Sequence, residues 1–301
     1  MVYALGEMLL DVLAEGEIQP EEYLAFGHPG GAMLNAAVSL ARTGIKTALV
    51  SESGDDTVGD FLIRFLKNNG VSTKFIRQYP GHPTSVALAR LNARKKPVYT
   101  FQKHYPEERQ LVIPRQFKSE DLLLFGSLYA LDPAIRPGIK KILHAARQAG
   151  TRIVYDPNIR MAEQLTNKTR RQALFENLKM ADIIKGSDED FGAVFGEQTP
   201  EDYVSALQKV NREAVIFVTL GERGALAAHR NLIIWKPARK IKVVSTIGAG
   251  DGFNAGVIAR IVQEKVKIED IPDRLEACLD SGIAFSAAVC GSKDNYIPDS
   301  E

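Results

Sequence analysis

Residues 245–256 read STIGAGDGFNAG, and they carry the most chemistry of any segment in the sequence. Gly248 and Gly250 allow a sharp backbone turn that points successive N–H groups into one space. A helix starting there would bring about half a positive charge to its N-terminus, so we expect an anion to bind. Asp251 would lie in the first helical turn, beside that anion. A simpler interpretation stays open, in which the glycines only make a turn and Asp251 only favours the helix end.

Other phosphate-binding and catalytic motifs are missing from the sequence. The P-loop pattern GxxxxGK[ST], the dinucleotide pattern GxGxxG and the nucleophile pattern GxSxG do not occur. Short basic runs at 94–96 and 239–242 are interpreted as solvated faces. The histidines lack metal-ligand spacing; they are His28, His82, His104, His144 and His229.

The glycine turn needs a strand before it and a helix after it, and its neighbours predict both. The apolar run at 241–244 predicts the strand, and the helix would bury Phe253, Val257, Ile258 and Ile261. Further patterns continue this alternation: helical spacing at 31–42 and 60–69, and buried-strand patterns at 45–50, 122–125, 152–155 and 214–219. Uninterrupted apolar strands are typical of parallel sheets covered on both faces. The sequence therefore predicts an α/β fold with a mostly parallel central sheet flanked by helices.

Two stretches break this alternation. Residues 15–28 are polar and turn-rich, while 85–91 and 97–103 are β-rich and separated by a polar turn at 92–96. Because these runs contain no helix, they predict a small antiparallel β flap, or lid. The expected division is an α/β core of residues 1–12, 29–83 and 104–301 and a lid of residues 13–28 and 84–103.

Composition limits the classes of function. The 301 residues include 38 Lys and Arg against 37 Asp and Glu, so no long-range field favours nucleic acid or a membrane surface. Small molecules are the expected partners. Cys278 and Cys290 lack redox or zinc spacing and are expected to be reduced and buried. No apolar run reaches the ~18 residues of a membrane span, and we predict a cytoplasmic protein.

Six motifs follow one another along the chain: Gly30-Gly31 with Asn35 and Gly44, Gly54-Asp55-Asp56 with Gly59, Asp156-Pro157-Asn158 with Arg160, residues 185–190, Val218-Thr219-Leu220-Gly221 with Gly224, and GAGD at 248–251. In this order they resemble the ribokinase, or PfkB, family of carbohydrate kinases over essentially the whole chain. The fructokinases are most similar, because Gly6, Glu7 and Asp11 and the run at 125–127 match theirs. The resemblance implies a ribokinase-like three-layer fold. It also implies ATP-dependent phosphorylation of a sugar's primary hydroxyl, with fructose 6-phosphate as the expected product.

Catalytic roles follow from this resemblance. The Gly248, Ala249 and Gly250 backbone would bind charge on the transferring phosphoryl group. Asp251 would accept the proton of the attacking hydroxyl. Since the helix end favours the carboxylate form, we expect Asp251 to be a weak base.

The resemblance also implies sugar-binding residues. Asp11 would accept hydrogen bonds from two hydroxyls, and Asn35 would reach another unless it faces solvent. The Gly30 and Gly31 backbone would allow close approach. Arg160 would touch the phosphate or the sugar, with a surface ion pair as the alternative. From the lid, the candidates are Thr84, Phe101 and Lys103, although Phe101 also suits simple strand packing.

ATP and Mg²⁺ are the implied cofactors. Gly221 and Gly224 would let the backbone pass near the nucleotide, and Thr219 and Lys185 would lie beside it. Mg²⁺ would bridge ATP phosphates and keep mostly water ligands.

Two positions depart from the family's ion-binding pattern. Ser187 and Asp190 replace its N-x-x-E element, which organises the metal through water, and residues 188–189 would have to compensate. Ser245 replaces an Asp that helps to hold a potassium ion with carbonyls of residues 287–291. A monovalent cation is therefore doubtful, and we expect slight or absent potassium activation.

Two alternatives stay open, and one assembly is expected. A 2-keto-3-deoxygluconate kinase, or another PfkB-family sugar kinase, would recognise a carboxylate with a cation such as Lys103 or Arg109. A non-catalytic sugar- or nucleotide-binding protein would fit the altered ion-binding positions, but the intact GAGD argues against it. Relatives often dimerise through such flaps, so a homodimer through the lid is expected.

Overall fold

A computed structural model describes residues 1–14, 25–91 and 97–299. Within them, one sheet has nine strands: Val2–Leu5 (β1), Thr47–Gly54 (β4), Val71–Tyr79 (β5), Leu122–Gly126 (β8), Arg152–Asp156 (β9), Ile183–Ser187 (β10), Val215–Thr219 (β11), Ala225–His229 (β12) and Leu232–Lys236 (β13). Their spatial order is β13-β12-β11-β10-β9-β8-β1-β4-β5. All neighbours from β11 to β5 are parallel, while β12 and β13 form an antiparallel edge hairpin. The mostly parallel sheet is confirmed.

Helices cover both faces of this sheet. In the described part of the chain they are Ala32–Arg42 (α1), Thr57–Asn68 (α2), Arg136–Gln148 (α3), Lys168–Met180 (α4), Asp188–Phe195 (α5), Pro200–Val210 (α6), Ala249–Gln263 (α7) and Leu275–Cys290 (α8). One apolar core lies between the sheet and α1, α2, α7 and α8, and a second lies between the sheet and α3 to α6. The predicted three-layer arrangement is confirmed.

The short apolar strands are buried because each contributes to both cores. Along β1, Val2 and Ala4 belong to one core, while Tyr3 and Leu5 belong to the other. Successive side chains of a strand point to opposite faces, so a strand covered by helices on both sides has no solvent-facing position. This arrangement explains why the strand runs contain no alternating polar residues.

A second sheet, the lid, contains Leu9–Ala14 (β2), Ala25–Gly30 (β3), Val86–Leu91 (β6) and Pro97–Gln102 (β7) in the order β3-β2-β6-β7. Two pairs are antiparallel as predicted, but β2 and β6 pair in parallel. Residues 9–12 and 29–30, which we expected in the core, also belong to the lid sheet. The reason is that β2 begins only four residues after β1 ends, so one segment feeds both sheets. The predicted turn at 92–96 lies outside the described residues, as do positions 15–24.

Two local predictions were wrong. The run at 241–244 belongs to neither sheet; Ile241, Val243 and Val244 are 40%, 57% and 50% exposed. The sheet already ends at β13, and the Val244 amide instead donates to the Cys290 carbonyl at 2.8 Å. Cys290 is half-buried rather than buried, whereas Cys278 is buried, and both thiols are free. Among the described helices, none has the length and apolar character needed to cross a bilayer.

Candidate active site

The candidate site lies where the carboxyl ends of neighbouring parallel strands meet two helix N-termini. Strands β1, β8, β9 and β10 are adjacent and parallel, so the residues following them converge at one sheet edge, the usual place for a ligand crevice. Polar side chains stand at this edge, among them Glu7 after β1 and Asp156 at the end of β9. Helices α1 and α7 begin beside it and supply Asn35 and Asp251.

The glycine turn starts α7, as predicted. Gly248 caps the helix in the left-handed conformation, with φ of 79°. A Cβ at this position would lie 2.0 Å from the carbonyl oxygen of Asn295, so only glycine fits both the conformation and the space. The first N–H groups of an α-helix have no partner within the helix. The Ala249 amide donates to the Thr246 carbonyl at 3.3 Å, so the amides of Gly250 and Asp251 are the ones best suited to bind an anion.

Asp251 is buried in the first turn of α7. Its Oδ2 accepts a hydrogen bond of 2.8 Å from Asn35 Nδ2 on α1. Burial raises the pKa of Asp251 to about 6, against the opposing effects of the Asn35 hydrogen bond and the Lys185 charge. We expected the helix end to make Asp251 a weak base, but burial instead raises its pKa above the ordinary value.

Lys185 on β10 lies directly under the glycine turn. Its Nζ donates to Asp156 Oδ2 at 3.0 Å, and the same oxygen accepts from Asn254 Nδ2 at 2.6 Å. Nζ is 2.8 Å from the position that a Cβ of Gly250 would occupy. Burial lowers the pKa of Lys185, but the charges of Asp156 and Asp190 outweigh burial and leave the pKa raised. The ammonium group therefore stays charged beside the predicted anion site.

Ser187 and Asp190 are bound to each other at the start of α5. The Ser187 amide and hydroxyl both donate to Asp190 Oδ2, at 2.6 and 2.8 Å, and the Asp190 amide donates back to the hydroxyl. Burial, followed by the charge of Asp156, raises the pKa of Asp190 to about 6. Among the described residues, no group of three His, Cys, Asp or Glu side chains is arranged to hold a metal. Any ion here would need ligands from water or from a bound nucleotide.

Asp11 packs against the glycine pair that precedes α1. A Cβ at Gly30 would lie 2.0 Å from Asp11 Oδ2, and a Cβ at Gly31 would lie 2.3 Å from the Glu7 carbonyl oxygen. Gly31 also has a positive φ of 111°. Burial and the charge of Asp251 raise the pKa of Asp11 to about 7. The glycine pair thus allows β3 to pass close to a carboxyl group that is itself near Asp251.

Arg160 is exposed to solvent, and its charge acts on Asp11 and Asp251. Its charge lowers the pKa of both Asp11 and Asp251, in opposition to their burial. Its backbone N–H donates to Gln164 Oε1 at 3.3 Å. The guanidinium group therefore lies near both carboxylates.

Glu7 is a site residue for which the sequence analysis predicted no role. It is buried at the end of β1; its Oε2 accepts from Lys103 Nζ at 2.6 Å and its Oε1 from the Tyr105 hydroxyl at 2.7 Å. Lys103 Nζ also lies 5.3 Å from the centre of the Phe101 ring, and Phe101 is 52% exposed. Lys103 follows the lid strand β7, so this ion pair connects the lid to the core. The signal in the sequence that could have identified Glu7 is its place in the fructokinase match, between Gly6 and Asp11.

Arg109 and Thr84 have structural partners. The Arg109 side chain is 3% exposed and forms ion pairs with Glu52, at 2.6 Å, and with Asp132. Thr84 Oγ1 donates to Asp56 Oδ1 at 2.6 Å, at the N-cap of α2. The polar groups of both side chains are thus engaged by protein partners, and their predicted contacts with the substrate remain predictions.

The predicted nucleotide residues form a turn between β11 and β12. Gly221 and Gly224 have positive φ values of 59° and 103°. A Cβ at Gly224 would lie 2.0 Å from the Lys236 carbonyl oxygen, so the turn packs on the end of β13. Thr219 Oγ1 lies 3.5 Å from the Gly186 carbonyl oxygen of β10. The turn is thus on the Lys185 side of the sheet edge.

A family model for the pfkB family carbohydrate kinases matches residues 4–301. The chain belongs to this family and is an ATP-dependent sugar kinase, a phosphotransferase acting on a sugar hydroxyl. It is 30% identical to Fructokinase-1 of Oryza sativa subsp. japonica (99% of this chain, 94% of the relative). It is also 30% identical to a fructokinase of Klebsiella pneumoniae (97% and 92%).

A solved structure shows the same fold. It is the fructokinase of Vibrio cholerae O395 bound to fructose, ADP and a calcium ion. The likeness has a TM-score of 0.84 and 24% identity, over 98% of this chain and 94% of that one.

Proposed function

We propose that this kinase transfers the γ-phosphate of ATP to the primary hydroxyl of fructose and forms fructose 6-phosphate. The observation that carries the proposal is the buried Asp251, placed at the N-terminus of α7 between Asn35 and the cation Lys185. The fructokinases among its relatives support fructose as the substrate.

Asp251 would act as the general base. With a pKa of about 6, its carboxylate is mostly ionised at neutral pH, yet it is more basic than an ordinary aspartate. As the sugar oxygen bonds to the γ-phosphorus, its proton passes to Asp251, and the bond from phosphorus to the bridging oxygen of ADP breaks. The products are the sugar phosphate, ADP and a proton that Asp251 later releases to solvent.

The groups around Gly248, Ala249 and Gly250 would stabilise the transferring phosphoryl group. The helix N-terminus contributes fixed dipoles, and Lys185 contributes a full charge from beneath the turn. Charge neutralisation and positioning are the main requirements of phosphoryl transfer. Because Asp156 binds Lys185 and is itself held by Asn254, the site needs little reorganisation when the charge develops.

Sugar binding would fall to the polar groups near Asp251. Asp11 is half-buried against Gly30 and Gly31 and has free capacity to accept from hydroxyls. Asn35 Oδ1 is buried without a hydrogen-bond partner among the described residues, and a sugar hydroxyl would satisfy it. Arg160 would approach from the exposed side. The lid residues Phe101 and Lys103 would close over the sugar and exclude water.

Mg²⁺ and ATP fit the remaining residues. Since Mg²⁺ keeps several water ligands, the absence of a three-residue metal cluster among the described side chains suits an ion held chiefly by nucleotide phosphates. Ser187 and Asp190 would contact that ion only through water. When bound, Mg²⁺ neutralises phosphate charge. Thr219, Gly221 and Gly224 would line the nucleotide side of the crevice.

A 2-keto-3-deoxygluconate kinase is the second candidate, and the charges disfavour it. Its carboxylate substrate needs a cation, yet Arg109 is paired with Glu52 and Asp132. Lys103 is paired with Glu7. The exposed Arg160 remains the cation that such a carboxylate would meet, but its charge already acts on the carboxyl groups of Asp11 and Asp251. A non-catalytic binding protein is disfavoured by the buried, hydrogen-bonded Asp251.

An ADP-release assay over fructose, 2-keto-3-deoxygluconate, ribose and adenosine tests the proposal. We expect the highest kcat/KM with fructose. A higher kcat/KM with any other acceptor would overturn the fructose assignment. Calorimetric sugar binding without turnover would favour the non-catalytic alternative.

A homodimer through the lid and a cytoplasmic location also remain predictions. The exposed Phe101 ring on β7 supports a covered lid face, since large exposed apolar groups often lie at interfaces. Light scattering of wild type and of Phe101→Asp tests the dimer, which the variant should dissociate.

A further inference from the structure

Asn35 makes a buried contact between two helices that are far apart in the sequence. It lies on α1, is 4% exposed, and donates from Nδ2 to Asp251 Oδ2 on α7 at 2.8 Å. Its own Oδ1 is buried without a partner in the structure. The Asn35 side-chain amide thus donates to Asp251, the proposed base, while its Oδ1 is available to accept a hydrogen bond.

We propose that Asn35 is a positioning residue for Asp251: its amide fixes Oδ2 and leaves Oδ1 as the oxygen that meets the substrate hydroxyl. The catalytic part of this inference rests on the proposed function, whereas the orientation of the carboxylate does not. This positioning role differs from the sugar-binding role predicted for Asn35, because the hydrogen bond to Asp251 is present before any sugar is bound.

The backbone that carries Asn35 is fixed independently of a ligand. Ser39, one turn further along α1, accepts a hydrogen bond of 3.2 Å from the Ile297 amide. Arg42 donates to the Ile297 carbonyl at 2.7 Å. Residues at i, i+4 and i+7 lie on one helix face, so the face that presents Asn35 is anchored along its length. Such anchoring is what a positioning side chain requires.

Charged groups on β2, β9 and β10 and in the segment after β9 act on Asp251, and Asn35 opposes the strongest effect, which is burial. Burial raises the pKa of Asp251 to about 6; the Asn35 hydrogen bond lowers it, as do Lys185 of β10 and Arg160 after β9. The charge of Asp156 raises it, and Asp11 of β2 repels it in turn. Removing the Asn35 donor should therefore raise the pKa of Asp251 further.

The test is a carboxyl ¹³C NMR titration of Asp251 in the protein without substrates, with Asp251→Asn identifying the resonance. In Asn35→Ala, we expect the midpoint to rise by roughly half to one pH unit. In the isosteric Asn35→Asp, we expect a larger rise, because the donor is lost and a like charge is added. Asn211→Ala removes an amide that bonds only backbone carbonyls elsewhere, and should leave the midpoint unchanged.

Kinetics give a second readout. If Asn35 positions the base, the acid limb of kcat against pH should move upward in the same order as the NMR midpoints. If Asn35 only binds sugar, KM should rise while the Asp251 midpoint and the acid limb stay at their wild-type values, and the proposal is overturned. Should Asn35→Ala not fold, Asn35→Leu replaces it, because it keeps the side-chain size, removes the donor and adds no charge. If wild type were inactive on fructose, the proposed function would be refuted. The NMR comparison would still test whether Asn35 acts on Asp251, because it needs no substrate.

Discussion

Lys185 Nζ and Asp156 Oδ2 form a buried ion pair of 3.0 Å directly beneath the glycine turn. Neither side chain is more than 6% exposed, so each charge depends on the other for compensation. Breaking a buried pair by removing one partner is far more costly than replacing both.

A cycle of Lys185→Met, Asp156→Asn and the double variant tests this relationship. We expect Lys185→Met to lower the free energy of unfolding by about 3–5 kcal/mol, because Asp156 keeps an uncompensated buried charge. The double variant should recover part of this loss in urea unfolding. It should not recover turnover, because the charge beside the phosphoryl group is still missing. Equal activity in Lys185→Met and wild type would remove Lys185 from the mechanism.

Asp251→Asn should lower kcat at least 10²–10⁴-fold, roughly the range for loss of a general base. The side chains are nearly the same shape, so we expect sugar affinity measured by calorimetry to change little. Phe61→Ala, an exposed site on α2, serves as a control and should retain turnover. Near-full turnover by Asp251→Asn would contradict the proposed mechanism.

The same substitution should stabilise the protein in a pH-dependent way. The pKa of Asp251 is about 6 when folded, against 3.8 for the unperturbed group. The folded state therefore binds the proton more tightly, and the free energy of unfolding falls as pH rises from about 4 to about 6. At pH 8, the free energy of unfolding of wild type should be lower than at pH 4 by up to about 3 kcal/mol because of this group. Asp251→Asn, which has no proton to lose there, should not show this decrease. Thermal unfolding should show a Tm advantage for the variant at pH 8 that shrinks toward pH 4; a constant difference would contradict it.

Potassium should activate the enzyme slightly or not at all. Ser245 lacks a negative charge, and its Oγ accepts the Ile247 amide at 3.2 Å. The Cys290 carbonyl is already bound by the amides of Val244 and Ser245. A KCl titration of kcat, with choline chloride as the ionic-strength control, should be nearly flat. A steep potassium requirement would disprove this prediction, and Ser245→Asp is the variant expected to gain sensitivity.

Sequence patterns predicted the structural features that depend on residues close together in the chain. The start of α7 follows from Gly248, whose left-handed conformation and tight packing suit glycine alone, and the buried strands follow from uninterrupted apolar runs. The strand predicted at 241–244 was wrong because apolar residues indicate a preference for burial but do not show whether a neighbouring strand is available for pairing. The Val244 amide instead donates to the Cys290 carbonyl at the end of α8.

Side-chain partners far apart in sequence were not predictable. Arg109 resembled a free cation until the structure paired it with Glu52, 57 residues away. The raised pKa of Asp251 was not predictable for a similar reason, since elements far away in the sequence bury its carboxyl group. Glu7 gained a role only once Lys103 and Tyr105 were seen to approach it from beyond the lid strands.

The hydrogen bond from Asn35 to Asp251 spans 216 residues. During synthesis on the ribosome, α1 emerges long before α7, the helix against which it packs. A nascent chain that ends before α7 can pack α1 against β1, β4 and β8, but it leaves the part of α1 that contacts α7 uncovered. The machinery for phosphate transfer can assemble only after nearly all of the chain has left the exit tunnel, so early folding intermediates are inactive.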